Sequence, residues 1–122
     1  MRIGELAERS AVSVRALRYY EEQGLLTAER SASGQRHYAD PAVGRVRLIQ
    51  NLYAAGLTSR TIAELLPCVD AGVSTPESRA RMAAERARIE DQIAGLIQAR
   101  DRLDAMITLS TSPENGCSYL AG

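Results

Sequence analysis

The last third of the sequence predicts a single helix that is too long for a chain of this size to cover alone. Thr75-Pro76-Glu77 has the features of a helix start: a capping hydroxyl, a proline in the first turn and an acid at the positive end of the helix dipole. No terminator follows until about Ser110, so about 34 residues would span about 50 Å. Such a helix needs a partner helix, most simply that of a second copy.

Apolar side chains recur along this helix in the alternating steps of four and three residues that are typical of a coiled-coil seam. The seam is interrupted at Arg100 and comprises Ile89, Ile93, Leu96, Leu103 and Ile107. The spacing therefore predicts these five residues as dimerisation contacts.

The first 24 residues have the spacing of a helix-turn-helix. Apolar periodicity predicts a first helix over residues 3–9, and Ser13 is a natural N-cap for a second helix over residues 14–23. Gly24 supplies the left-handed stop. The outward face of the second helix carries three side chains suited to the major groove of DNA: Arg15, Arg18 and Tyr19.

A β-hairpin, or wing, and a third helix follow. Leu25-Leu26 and Arg36-His37-Tyr38 flank a tip of small residues, in which Gly34 provides the positive φ that a tight turn needs. Asp40-Pro41, with the acid as N-cap and the proline in the first helical position, predicts a third helix that continues to Gly56.

A fourth helix is predicted from Thr58 to near Leu66, because Pro67 cannot continue it. Residues 68–74 would then form a loop before the long helix. The expected organisation is a DNA-binding domain over 1–74, a dimerisation helix over 75–110 and a short flexible tail over 111–122.

The formal net charge of zero conceals an asymmetry between the two halves of the chain. Residues 1–60 hold nine arginines against six acids, a net charge of +3, whereas residues 61–122 hold six arginines against nine acids, a net charge of −3. A surface that faces DNA phosphates is therefore expected in the first half. No stretch reaches the ~18 apolar residues that span a membrane, and the charged N-terminus has no signal-peptide pattern. We expect a cytoplasmic, nucleoid-associated protein with no membrane partner.

Three blocks of the sequence together resemble the MerR family of transcriptional regulators: IGELAERSAVSVRALRYYEEQGLL, SGQRHY and GRVRLIQNLYAAGLTSRTIAELL. The resemblance covers the first 66 residues, and the long helix is similar to the family's dimerisation helix. It implies a mainly α fold, in which a winged helix-turn-helix domain with a small hairpin wing precedes a long antiparallel coiled-coil dimerisation helix. One position departs from the family pattern, because Ala11 stands where glycine is common. Either alanine is tolerated at a positive φ, at a cost of about 1 kcal/mol, or the turn is built slightly differently.

The family's DNA-contact positions and the exposed positions predicted above together indicate one set of DNA-binding residues: Arg15, Arg18, Tyr19, Tyr20, Gln35, Arg36 and Arg60. Tyr20 is included although its spacing from Leu17 equally suits the core. Gln35 and Arg36 fall on the returning strand of the wing, beside adjacent phosphates. Arg60 lies in the first turn of the fourth helix, where side chain and helix N-terminus together can hold a phosphate. A single exposed arginine is more often merely solvated, but four on one predicted face favour phosphate contact.

The family mechanism implies a homodimer that binds a near-palindrome within a promoter. The dimer bends and underwinds the overlong DNA spacer between the two promoter elements that RNA polymerase contacts, so that the polymerase can align with both. RNA polymerase is thus an indirect partner. Two other functions remain open: a winged-helix accessory or architectural DNA-binding protein without signal sensing, and a coiled-coil adaptor whose N-terminal fold binds protein. An enzyme is not predicted, since the sequence has one histidine, no glycine-rich phosphate loop and no evident carboxylate pair. No cofactor is expected.

Cys68 and Cys117 raise a hypothesis about sensing. The dozen or so residues after the long helix are too few for the drug-binding domain of some family members, and Cys117 alone cannot form a metal site within the tail. In an antiparallel dimer that crosses near Ile93, Cys117 of one copy would lie beside Cys68 of the other as a thiol pair. The alternative is that Cys68 is a small buried residue and Cys117 an incidental thiol. His37 has no partner at ligand spacing, so a metal site is not predicted.

Overall fold

The computed structural model describes residues 1–111, which form five α-helices and one two-stranded antiparallel hairpin. The elements in chain order are α1 (Ile3–Ser10), α2 (Val14–Glu22), β1 (Glu29–Arg30), β2 (Arg36–His37), α3 (Ala42–Ala54), α4 (Ser59–Ala71) and α5 (Pro76–Ser110). The predicted mainly α fold with a small wing and a long final helix is confirmed. The chain divides into two compact units, Met1–Met82 and a second that begins at Ala83.

A small aliphatic core holds the first unit together. Its fully buried members come from four helices: Leu6, Leu17, Val46, Ile49 and Ile62. Tyr38, directly after β2, is only 2% exposed and anchors the wing to this core. Close packing of such side chains against one another is what orients the helices and, with them, their polar faces.

Local capping chemistry sets several of the helix boundaries. The hydroxyl oxygens of Ser13, Thr58 and Thr75 accept hydrogen bonds from backbone amides three residues later, at 3.1, 3.2 and 3.1 Å. The predicted starts of α2, α4 and α5 are therefore confirmed. Gly24 and Gly34 adopt φ values of +74° and +83°, as the turn after α2 and the wing tip require.

The predicted end of α4 near Leu66 is wrong. The helix runs through Pro67 to Ala71 and ends at Gly72, which has a φ of +65°. Proline lacks the amide proton of one helical hydrogen bond, but tertiary contacts hold the chain on either side of it. Leu65 and Leu66 are buried before it, and Asp70 after it forms an ion pair with Arg45 of α3. Cys68–Ala71, expected to be part of a loop, is therefore helical.

The predicted start of α3 also needs correction. Asp40 does not cap the helix; Pro41 occupies the N-cap position, and α3 begins at Ala42. A tight turn leads into the helix, in which the Ala42 amide donates to the Ala39 carbonyl at 2.9 Å. The Asp40 carboxylate points to solvent and lies 4.0 Å from the Arg9 guanidinium.

Ala11 closes the turn between α1 and α2 with a φ of +57°, so this turn keeps the left-handed conformation although alanine stands where glycine is common in the family. An Ala11→Gly variant is expected to raise the free energy of unfolding by about 1 kcal/mol, because glycine adopts this region without the Cβ clash. Chemical denaturation measures the change. The matched control is Ala80→Gly on the exposed surface of α5, where the same substitution should instead be destabilising by up to about 1 kcal/mol. A loss of stability in Ala11→Gly would contradict the strain.

Candidate nucleic-acid interface

The second helix presents a polar face because its apolar face is committed to the core. Leu17 is fully buried, whereas Arg15 and Arg18, one turn apart, are exposed and Tyr19 is 45% exposed. Within residues 1–111 neither Arg15 nor Arg18 forms an ion pair. Both guanidinium groups therefore retain donors for an anionic ligand.

Tyr20 lies on the other side of this helix. Its side chain is 8% exposed, and its ring stacks on that of Tyr53 with the ring centroids 5.7 Å apart. Burial, and to a smaller extent the neighbouring Tyr53 phenol, raises the pKa of Tyr20 above its ordinary value, so the ring stays neutral. This packing favours the core role that its spacing from Leu17 also allowed, and we leave Tyr20 out of the proposed DNA contacts.

Glu21 joins the wing to α2. Its carboxylate accepts a hydrogen bond from Arg36 Nη1 at 2.7 Å and another from the Tyr38 hydroxyl. Arg18 and Arg36 consequently line one surface hollow, together with Glu21 and Glu22. A guanidinium has five N–H donors, so Arg36 can keep Glu21 and still present donors to solvent.

The other side of the wing reaches the N-terminal segment. The Tyr38 amide donates to the Met1 carbonyl at 2.7 Å, and Arg2 donates to the Gln35 side-chain oxygen. Arg2, Gln35 and Arg36 thus lie around a second hollow. Arg2 is a cation that the sequence did not single out, because only the fold brings it beside a residue 33 positions later.

The start of α4 carries the remaining predicted cation. Arg60 is 90% exposed, with its Nε 3.6 Å from Glu64 one turn later. The first-turn amides of a helix have no acceptor within the helix, so they add partial positive charge beside Arg60. Two phenols contact the preceding residue: Ser59 Oγ lies 3.4 Å from the Tyr19 hydroxyl and within hydrogen-bonding distance of that of Tyr53.

These contacts connect three elements of the first unit into one surface. Arg18 and Arg36 share a hollow between α2 and the wing, and Tyr19 joins α2 to Ser59 beside Arg60. Such a set of arginines and phenols, together with helix-start amides, can bind the phosphates and base edges of a duplex. In residues 1–111 no cluster of His, Cys, Asp and Glu is placed to hold a metal ion.

The second unit offers a different surface. Four of the five predicted seam residues are more than half exposed in α5, and Ile89 is half-buried: the exposed fractions of Ile93, Leu96, Leu103 and Ile107 are 51, 69, 56 and 60%. Contiguous apolar exposure of this kind marks an interaction surface. Within the described part of the chain, no helix is both long and apolar enough to cross a membrane.

Cys68 is half-buried in α4 as a free thiol, and Cys117 lies outside the described residues. The cross-subunit thiol pair therefore stays a prediction. A disulfide-linked dimer band after mild oxidation that persists in Cys68→Ser would rule it out.

Two family models match the chain. The MerR HTH family regulatory protein model matches residues 1–67, and the MerR DNA-binding model matches residues 43–106.

Curated relatives and solved structures resemble the chain over most of its length. Nodulation protein NolA from Bradyrhizobium sp. (strain NC92) is 38% identical over 88% of this chain and 43% of its own length. The HTH-type transcriptional activator SoxR homolog of Chromobacterium violaceum is 34% identical over 86% of this chain and 72% of its own. The chain spans less than half the length of the NolA proteins it matches.

Among solved structures, a Listeria monocytogenes protein assigned to the MerR family has a TM-score of 0.81 and 27% identity, over 99% of this chain and 93% of that one. HiNmlR, a MerR family regulator lacking the sensor domain and bound to promoter DNA, has a TM-score of 0.76 and 24% identity, over 96% and 97% of the two chains.

Proposed function

Because the chain belongs to the MerR family of DNA-binding transcriptional regulators, we propose that it binds promoter DNA as a homodimer and regulates transcription by distorting the promoter spacer. One observation carries the proposal: α2, the wing and the start of α4 present a continuous polar surface, whose arginines are unpaired or incompletely paired within residues 1–111. RNA polymerase would be affected only indirectly, through the altered duplex.

In the proposed complex, α2 enters the major groove with Arg15 and Arg18 facing the DNA, and Tyr19 beside them. Gln35 and Arg36 on the wing, and Arg60 at the start of α4, contact phosphates on either side of that groove. Contacts from three separate protein elements would fix the path of the DNA backbone over more than one groove of the duplex. That arrangement suits a protein that holds a bent duplex, since the contacts offset the energy of bending.

Homodimerisation is proposed from the exposed apolar seam of α5. Two copies paired along this seam would present two recognition helices, and a two-fold symmetric dimer reads a near-palindrome. HiNmlR is a relative in fold that is bound to promoter DNA, which supports the same use of the fold here.

The proposal predicts a strongly salt-dependent interaction with an operator of two half-sites. A duplex selected by the protein from random-sequence DNA should show, by footprinting, two protected half-sites related by a near-palindrome. Three to four arginine–phosphate contacts in each copy would give a slope of log K against log salt concentration of about −5 to −7 per dimer. Fluorescence anisotropy at several salt concentrations measures the slope, with a scrambled duplex as control. Affinity that does not change with salt would contradict phosphate binding by this surface.

A further inference from the structure

Arg81 contacts the start of α4 although it belongs to the second turn of α5. Its Nη2 donates to Thr61 Oγ1 at 2.9 Å, and its Nη1 lies 3.5 Å from Glu64. Both partners and Arg81 itself lie within the first compact unit. Thr61 is 5% exposed, so this hydrogen bond fixes one end of the guanidinium at a buried position.

Thr61 connects Arg81 with the N-terminal cap of α4 through hydrogen bonds. Its hydroxyl oxygen also accepts from the Thr58 hydroxyl at 3.0 Å, and its amide donates back to Thr58 Oγ1 at 3.2 Å. Thr58 is the N-cap whose geometry directs the first-turn amides of α4. A continuous series of hydrogen bonds therefore connects Arg81 with the cap of the helix that starts at Ser59.

Glu64 connects Arg81 with Arg60 by a second route. One carboxylate oxygen lies 3.6 Å from Arg60 Nε, and the other lies 3.5 Å from Arg81 Nη1. When Arg81 shares this carboxylate, Glu64 neutralises less of the charge of Arg60. Removal of Arg81 would leave Glu64 to Arg60 alone and weaken the attraction of this corner for a phosphate.

We infer that Arg81 is a positioning residue for DNA binding: it holds the cap of α4 and competes for Glu64, so that Arg60 and the first-turn amides before Thr61 are ready to bind a phosphate. The inference rests on the proposed function. Arg81 belongs to the same helix as the predicted pairing seam.

The test is a double-mutant cycle between Arg81→Met and Arg60→Met, measured by fluorescence anisotropy on the duplex selected by the wild type. Arg81→Met should lower the affinity about five- to tenfold without changing the salt slope, because Arg81 itself contacts no phosphate. In the Arg60→Met background, Arg81→Met should lower the DNA affinity by only about twofold or less, because its effect depends largely on Arg60. Thr61→Val, which removes the buried acceptor hydroxyl, should reproduce the loss.

Arg79→Met is the matched control. Arg79 lies two residues earlier on the same helix, and its side-chain hydrogen bonds reach only Ser74 among the described residues. It should change the affinity about twofold or less, although it removes the same charge. Equal losses in Arg79→Met and Arg81→Met, a smaller salt slope in Arg81→Met, or full additivity with Arg60→Met would each overturn the inference. A wild-type protein without salt-dependent DNA binding would instead overturn the proposed function, and the inference with it.

Discussion

A Leu96→Glu variant is expected to be monomeric and to lose about a thousandfold in affinity for an operator with two half-sites. Leu96 is 69% exposed near the middle of the predicted seam in α5. In a dimer paired along that seam, one substitution places two carboxylates in an apolar contact, and the desolvation of each opposes association. A monomer holds one half-site only, so the second half-site no longer binds as an intramolecular event. Sedimentation velocity and anisotropy measure the two effects.

Gln98→Glu is the matched control for this variant. It introduces the same carboxylate two residues later on the same exposed helix, away from the seam positions. We expect it to remain dimeric with DNA affinity within about twofold of the wild type, because a solvated surface charge costs little. A dimeric Leu96→Glu protein with unchanged affinity would show that the copies pair through another surface, or that pairing is not needed for binding.

The starts of α2, α4 and α5 were the most predictable features of this fold, because a few neighbouring residues determine them. The caps at Ser13, Thr58 and Thr75 need only a hydroxyl and an amide three residues later. Gly24 has positive φ where a helix had to end. The positive φ of Ala11 settles what the sequence left open, because alanine there was compatible either with a strained turn or with a different turn geometry.

Interactions between distant parts of the chain account for what the sequence could not predict. Pro67 is a helix breaker by local rules, yet α4 continues past it where buried leucines and the ion pair of Asp70 with Arg45 hold the helix in place. The position of Tyr20 in the sequence was compatible with either a DNA contact or a core residue, and only its packing on Tyr53 favours the core role. Apolar periodicity predicts which face of a helix is buried, but it does not predict which neighbouring element covers that face.

In the candidate site, too, local features were predictable from the sequence and long-range contacts were not. Exposure of Arg15 and Arg18 follows from the spacing of apolar residues on α2. The contact of Arg36 with Glu21, which brings the wing to α2, joins residues 15 positions apart, and no local sequence pattern indicates it. The contact of Arg81 with Thr61 is of the same kind. The exposure of Arg15 and Arg18 was therefore predictable, whereas the contacts that position the surface required the fold.

Arg18→Met is expected to reduce operator affinity by about a hundredfold per dimer, since each copy loses a contact that is worth about 1–3 kcal/mol. Arg18 is exposed, forms no ion pair within residues 1–111 and shares a hollow with Arg36. Methionine keeps the helix propensity and most of the side-chain length, so the loss reports the guanidinium. The salt dependence identifies the target: a slope smaller by about 2 per dimer indicates a phosphate, whereas an unchanged slope with relaxed base preference indicates a base edge.

Arg47→Met supplies the control for charge alone. Arg47 is an exposed arginine of the same compact unit, on α3, and its guanidinium donates to the Arg9 carbonyl at 3.5 Å. Both variants change the net charge of the chain by the same amount, and a non-specific electrostatic effect would therefore weaken both equally. We expect Arg47→Met to bind within about threefold of the wild type. Equal losses in the two variants would contradict a specific role for Arg18 and place the DNA-binding surface on a broader region of the first unit.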